Sequence, residues 1–409
     1  MSNSKIYDVS ENVKWIGVLD YDIVTFDVVM KTDYGTTYNS YFIDAEKKAI
    51  IDTTKETFKD EYLEKIRSVV DPAQISYIVL NHTEPDHSGN LQHLMKLAPN
   101  AKVVGSGNAL RYLEDITGES FPSIKVKNGD ELDLGNMTLK FIGAPNLHWP
   151  DTMYTYLEEE KILFTCDSFG SHYCNEKIFD DEVGNIDQAF DYYFDVILKP
   201  FSKFMLKAIE KIRPLEINIV CPGHGPVLRS NWKKYVDRSE QLAREYLGTT
   251  NAQIPQVLIA YVSAYGYTKE MAISLAEGVK QAGGIKTEYL DLEESSIGEM
   301  EEKMIRNSAL VLGSPTINQN TLLPVYKLFS IVNPIRDKGK PAAAFGSFGW
   351  SGEAIGIIEE NLKQLKFKLF DQNASFKFYP QDSKAREIRE FGQSFGQFVL
   401  NSIELKNNN

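Results

Sequence analysis

Apolar positions divide the chain into two patterns. Between residue 13 and about residue 231, short β-type runs recur: Trp15-Ile16-Gly17-Val18, residues 37–43, Ala49-Ile50-Ile51, residues 77–80, Lys102-Val103-Val104, residues 137–142, Ile162-Leu163-Phe164 and Ile217-Asn218-Ile219-Val220. Helical periodicity stands between some of them, at residues 61–70 and 201–213. This mixture predicts a sheet-and-helix domain. A further helical stretch, residues 232–246, runs into Gly248-Thr249-Thr250-Asn251-Ala252-Gln253, which reads as a linker because it is small and polar. The expected division is residues 1–250 and 254–409.

Beyond Pro255, strand and helix alternate strictly. Strands are predicted at 257–262, 286–292, 309–312, 342–345 and within 367–378. Helices are predicted at 269–281, 297–306, 322–332, 353–365 and 383–403. Five strands with crossover helices in about 150 residues predict a doubly wound, parallel α/β domain.

Composition narrows the possibilities. A length of 409 residues suggests two or three domains. Three cysteines without a CxxC pair exclude a disulfide framework, a zinc ribbon and a rubredoxin-type module. A net charge of −13, from 44 basic and 57 acidic residues, speaks against a nucleic-acid surface. The first 16 residues carry no apolar signal segment, and no apolar run reaches the roughly 18 residues of a membrane span. The expectation is a soluble, reduced, cytoplasmic protein.

In an open parallel sheet, ligands bind beyond the carboxyl ends of the strands. The first such loop of the C-terminal domain is Ser263-Ala264-Tyr265-Gly266-Tyr267-Thr268, a phosphate cradle at a helix start. The third is Gly313-Ser314-Pro315-Thr316-Ile317-Asn318, and the fourth Gly346-Ser347-Phe348-Gly349-Trp350-Ser351-Gly352. A terminal phosphate on the first loop and a flat ring between the other two describe flavin mononucleotide (FMN). Residues 255–403 resemble a flavodoxin, with Tyr265 and Tyr267 departing from the usual first loop. The run Gly105-Ser106-Gly107-Asn108-Ala109-Leu110 lacks the third glycine of a dinucleotide fingerprint and is set aside.

The N-terminal domain carries metal-capable side chains at strand ends. His82, Glu84, Asp86 and His87 lie in Asn81-His82-Thr83-Glu84-Pro85-Asp86-His87; His148, Asp167 and His224 follow later. In an extended stretch, positions 82, 84 and 86 project to one side, and His87 joins from the turn. The pattern resembles the metallo-β-lactamase fold, whose hydrolase motif is His-x-His-x-Asp-His. Glu84 replaces the second histidine here, and three carboxylates with four imidazoles suit iron better than zinc.

Together the two halves resemble the flavodiiron proteins (A-type flavoproteins) over residues 5–403. The resemblance implies a metallo-β-lactamase-like αββα sandwich followed by the doubly wound five-stranded domain. It implies two non-haem irons per chain, one held by His82, Glu84 and His148, the other by Asp86, His87 and His224, with Asp167 bridging. It implies reduction of dioxygen to water or nitric oxide to nitrous oxide. Two ferrous ions and a reduced flavin hold the four electrons that dioxygen requires. The resemblance also implies a head-to-tail homodimer or a dimer of dimers. A separate donor, such as a rubredoxin or a reduced deazaflavin coenzyme, is expected. His172 and Tyr193 are candidates to supply protons or hydrogen bonds near the substrate. Two alternatives stay open: a binuclear zinc hydrolase with a flavodoxin-like domain, and a non-catalytic flavin electron carrier.

Overall fold

A computed structural model describes residues 5–26, 30–250, 254–378 and 382–407. The chain forms two compact units, Met1–Tyr246 and Leu247–Asn409. Residues 248–250 of the expected linker continue the helix Trp232–Thr250, and residues 251–253 lie outside the described residues.

The first unit is built on two sheets. The larger runs in the order Tyr7–Asp8, Val13–Trp15, Tyr41–Ile43, Lys48–Ile51, Ile75–Val79, Lys102–Ser106 and Ser123–Val126. The smaller runs Glu131–Asp133, Thr138–Gly143, Met153–Leu157, Ile162–Cys166 and Ile219–Pro222. Alternation along each strand feeds two layers of core. Val79 and Val104 point between the sheets, toward Phe141, Leu157 and Phe164. Ile78 and Val103 point outward, onto Ile66, Leu94 and Leu113 of helices Lys59–Val69, Leu91–Leu97 and Gly107–Thr117. Tyr154, Tyr156 and Leu163 of the smaller sheet pack on Phe190, Met205 and Ile209 of helices Asp187–Tyr193 and Ser202–Ile212. The layers are therefore helix, sheet, sheet, helix. The central strand Met153–Leu157 was not among the predicted runs. All five of its residues are buried, so it lacks a polar alternation.

Ile162–Cys166 and Ile219–Pro222 pair in parallel, with Cys166 opposite Pro222. Parallel pairing delivers the residues that follow both strands to one end of the sheet.

The second unit has the strand order Lys286–Asp291, Gln256–Tyr261, Ala309–Gly313, Pro341–Phe348, all parallel. The predicted fifth strand is two short ones, Lys368–Leu369 and Ala374–Lys377, both paired with Pro341–Phe348. Asp371, Gln372 and Asn373, turn-forming residues, interrupt it. Val257 and Ile259 face the helices Tyr267–Gln281 and Asp382–Asn407, while Leu258 and Ala260 face the opposite helical layer. The chain changes direction across the sheet between its first and third strands, which places the switch point beside the loops at 263–268 and 313–318.

Candidate functional site

The strand Ile75–Val79 leads to Asn81, which ties the two sheets together. Its backbone N–H and side-chain amide donate to the Asp52 carboxylate at 2.7 and 3.2 Å. The Thr155 hydroxyl donates to Asn81 Oδ1 at 2.6 Å, and the Met153 N–H to the Asn81 carbonyl at 2.9 Å. His82, next in sequence, is thereby held at the sheet ends.

The chain does not continue extended. Pro85 starts a helical turn, Pro85–Ser88, and this corrects the expectation that positions 82, 84 and 86 share a side. Asp86 and His87 ride on the turn and join a different group from His82 and Glu84. His82, Glu84, His148 and Asp167 form one group, and Asp86, His87 and His224 another, each with its donor atoms within 4.8 Å of one another. All are buried or nearly so.

Asp167 joins the groups. Its Oδ2 lies 3.5 Å from His82 Nε2 and 3.3 Å from His148 Nε2. Its Oδ1 lies 3.0 Å from His87 Nε2 and 3.5 Å from His224 Nε2. Glu84 Oε2 is 3.2 and 3.0 Å from His82 and His148 Nε2, and Asp86 Oδ2 is 3.3 and 3.1 Å from His87 and His224 Nε2. Donors about 2.1 Å from one ion stand roughly 3.0–3.4 Å apart in octahedral or tetrahedral geometry. The spacing fits two cations. Both oxygens of Asp86 and Asp167 and both ring nitrogens of His87 are buried without a hydrogen-bond partner among the described residues.

The electrostatics demand positive charge. Burial opposes ionisation of Glu84, Asp86 and Asp167. The clustered imidazoles outweigh it and hold all three carboxyls below their usual range, Asp167 far below. Burial likewise opposes charge on the imidazoles. Hydrogen bonds to Asp151 and Glu84 nevertheless push His82 up to about 10, the nearby carboxylates of Asp167 and Glu84 raise His148 to about 10, and those of Asp86 and Asp167 raise His87 to about 9.

His172 and Tyr193 sit against the second group. The His172 ring is 5.0 Å from that of His224 and 4.8 Å from that of Tyr193, and its Nδ1 is 2.8 Å from Thr36 Oγ1. Burial and the nearby His224 hold the His172 pKa well below its usual value, and burial pushes the Tyr193 phenol well up. Both are uncharged near neutral pH. Several contributors were not read from the sequence: Asp151, whose carboxylate meets His82 Nδ1 at 3.2 Å; Thr37, whose carbonyl accepts from His224 Nδ1 at 2.6 Å; and Gly223, where a Cβ would stand 2.8 Å from His87 Cε1. The glycine between Pro222 and His224 was the available signal.

In the second unit, a cavity of about 510 Å³ opens at the switch point. Tyr265 and Tyr267 of the first loop line it, with Pro315, Thr316, Ile317 and Asn318 of the third and Ser347, Phe348, Gly349, Trp350 and Ser351 of the fourth. Gln319 and Phe378, not expected, also line it. Trp350 and Tyr265 are 80% and 82% exposed, so their ring faces are free to stack on a flat ligand. The other expected residues do not line the cavity. Ser263 Oγ accepts from the Lys269 N–H, Thr268 and Ser347 hydroxyls pair at 3.1 Å, and Ser314 Oγ donates to the Pro315 carbonyl. Gly266, at φ +86°, and Gly352 precede helices, and Ala264 offers only backbone.

Residues 36–225 match the ODP family beta lactamase, and residues 259–392 match flavodoxin. A flavo-diiron protein of Clostridium acetobutylicum is 39% identical over 403 residues, covering 96% of this chain and 99% of that protein. The chain belongs to the flavodiiron protein family. A second relative, the type A flavoprotein of Rhodobacter capsulatus, is 37% identical over 389 residues, covering 94% of this chain and 89% of that protein. Among solved structures, the rubredoxin oxygen:oxidoreductase of Desulfovibrio gigas aligns with a TM-score of 0.69 at 28% identity, covering 98% of this flavodiiron chain and all of that one. The flavodiiron protein of Giardia intestinalis aligns at 0.66 and 31%, covering 98% of each. No helix among the described residues is long and apolar enough to cross a membrane.

Proposed function

We propose that this flavodiiron oxidoreductase holds two iron ions and one FMN and reduces dioxygen to water, nitric oxide to nitrous oxide, or both. The observation that carries the reading is Asp167, whose two oxygens face two separate groups of imidazoles. His82, Glu84 and His148 would hold one ion, Asp86, His87 and His224 the other, and Asp167 both. Two divalent cations would take over from the protonated imidazoles the task of balancing three buried carboxylates, leaving a single net positive charge. When bound, two ferrous ions and a reduced flavin supply four electrons and open coordination positions, enough for dioxygen and more than the two that couple nitric oxide.

The chain's own residues set the surroundings. Phe26 stacks 4.5 Å from His172, Tyr193 caps His172 edge-on, and Phe201 lies 6.1 Å from His148. These rings keep bulk water from the metal positions. Tyr193 keeps its phenolic proton and His172 presents an uncharged ring beside His224, so both can offer hydrogen bonds near the metal positions without adding charge. In the second unit, Trp350 and Tyr265 would sandwich the flavin ring. We further propose a head-to-tail homodimer, or a dimer of dimers, and a separate electron donor such as a rubredoxin or a reduced deazaflavin coenzyme.

Anaerobic reduction followed by matched dioxygen and nitric oxide consumption tests the reading. Close to two irons and one FMN per chain, with consumption of either gas, supports it. Protein that takes only zinc when iron is supplied, and that hydrolyses a thioester or lactam, overturns it in favour of the hydrolase.

A further inference from the structure

The two halves of the metal centre differ in what stands behind their histidines. His224 Nδ1–H donates to a neutral acceptor, the Thr37 carbonyl, at 2.6 Å. His82 Nδ1–H faces a carboxylate, Asp151 Oδ2, at 3.2 Å. Asp151 is fully buried. Its Oδ2 also accepts from the Thr83 N–H at 2.8 Å and the Thr83 hydroxyl at 2.9 Å, and its Oδ1 is buried without a partner among the described residues. Among those residues His82 is its one ion-pair partner. The negative charge of Asp151 is therefore delivered to a single imidazole.

We propose that Asp151 is a positioning residue for one metal only. It fixes His82 in the tautomer whose Nε2 is free and raises the basicity of that nitrogen, as a carboxylate behind a metal-bound histidine does. The ion held by His82, Glu84 and His148 gains affinity from it, and the ion held by Asp86, His87 and His224 does not. The inference rests on the binuclear reading of the seven donors.

The incomplete fingerprint Gly105-Ser106-Gly107-Asn108-Ala109-Leu110 takes a role here. Ser106 Oγ donates to the Asp151 carbonyl at 2.8 Å and accepts from the Ala109 N–H at 3.1 Å. Asn108 Nδ2 donates to the Pro150 carbonyl at 3.1 Å. The junction at which strand Lys102–Ser106 passes directly into helix Gly107–Thr117 thus grips the backbone of Pro150 and Asp151 from the larger sheet. It spends its polar groups on protein.

Asp151→Asn isolates the charge. All three hydrogen bonds enter one oxygen, so an asparagine with its carbonyl oxygen there keeps them and removes the negative charge, at the cost of a buried amide nitrogen where Oδ1 stands. The full-length wild type, Asp151→Asn and Ser106→Ala are loaded anaerobically with ferrous iron. Iron is then drawn off by a graded colorimetric chelator, and Mössbauer spectra identify what remains. FMN content and circular dichroism report folding. In Asp151→Asn, one of two irons should leave at a chelator concentration about 10–100-fold lower than in wild type. The other should shift by no more than a few fold, and the remaining iron should match one component of the wild-type spectrum. Ser106→Ala should weaken the same iron by a smaller factor, and it carries the test if Asp151→Asn fails to fold. Equal weakening of both irons, or wild-type release from a folded variant, overturns the inference alone. Wild-type protein that holds fewer than two metal ions overturns the binuclear reading and this inference with it.

Discussion

Loading the metal centre must expel protons, and the imidazoles set how many. Without metal, Glu84, Asp86 and Asp167 stay ionised and draw His82 and His148 up to about 10 and His87 up to about 9. These three rings are therefore cations near neutral pH. An imidazole must be neutral to bind a metal, so uptake of two ions releases about three protons per chain. At 1.36 kcal/mol per proton and pH unit, the summed binding free energy should improve by roughly 4 kcal/mol per pH unit. Because the raised pKa values belong to the metal-free folded form, affinity rises with pH up to about 9 and flattens beyond about 10. Titration calorimetry of ferrous iron into metal-free protein, in two buffers of different ionisation enthalpy at about pH 7.5, counts the protons directly. Release of one proton or fewer, or uptake indifferent to pH between about 7 and 8, would refute the charge assignment.

The same groups govern the stability of the metal-free protein. Folded-state pKa values raised above the unfolded value contribute stability that is complete below about pH 6.5 and lost as pH rises through 9–10, on the order of several kcal/mol. Urea denaturation across that window should show the loss in metal-free protein and a flat response in loaded protein. Gly278→Ala would place a Cβ 2.0 Å from the Arg389 carbonyl oxygen. A glycine-to-alanine change inside a helix ordinarily gains about 1 kcal/mol, but here it should cost about 1–3 kcal/mol, read from thermal unfolding of the second unit by flavin fluorescence. Gly223→Ala should displace His87 and lower iron content while leaving FMN at one per chain, measured by metal and flavin analysis. Trp350→Ala should weaken FMN by about tenfold, the equivalent of roughly 1.4 kcal/mol of lost stacking, with iron content unchanged in the same assays.

Much of the site could be read from the chain because its donors sit at strand ends. Phe164-Thr165-Cys166 and Ile219-Val220-Cys221 are short, largely apolar runs, buried but for the half-buried Ile219, and Asp167 and His224 stand just past them. The partition of the 82–87 cluster was not readable from an assumed extended stretch. Pro85 carried the signal, since a proline favours the first position of a helical turn, and that turn swings Asp86 away from Glu84. Asp151 and Thr37 could not be found at all. Their roles depend on where a loop from the smaller sheet and a strand from near the N-terminus meet two histidines in space. In the second unit the loops were legible, but not the local partners that their hydroxyls take. Ser263, Thr268 and Ser314 turn toward the backbone or toward a neighbouring hydroxyl, ordinary chemistry for serine and threonine beside helix starts. Phe378 reaches the cavity from the end of the divided fifth strand, which no local pattern announces.

The scattering of the seven donors has a consequence for biogenesis. They come from residues 82–87, 148, 167 and 224, and none comes from the second unit. As the ribosome releases the chain, the first group can close once Asp167 has emerged and the two sheets have met. The second must wait for His224, two residues past Ile219–Pro222, the smaller sheet's last strand to be synthesised. The emerging chain therefore passes through a stage able to accept one ion but not two. Every donor precedes the flavin-binding unit, so the second ion can be captured before that unit has been fully translated.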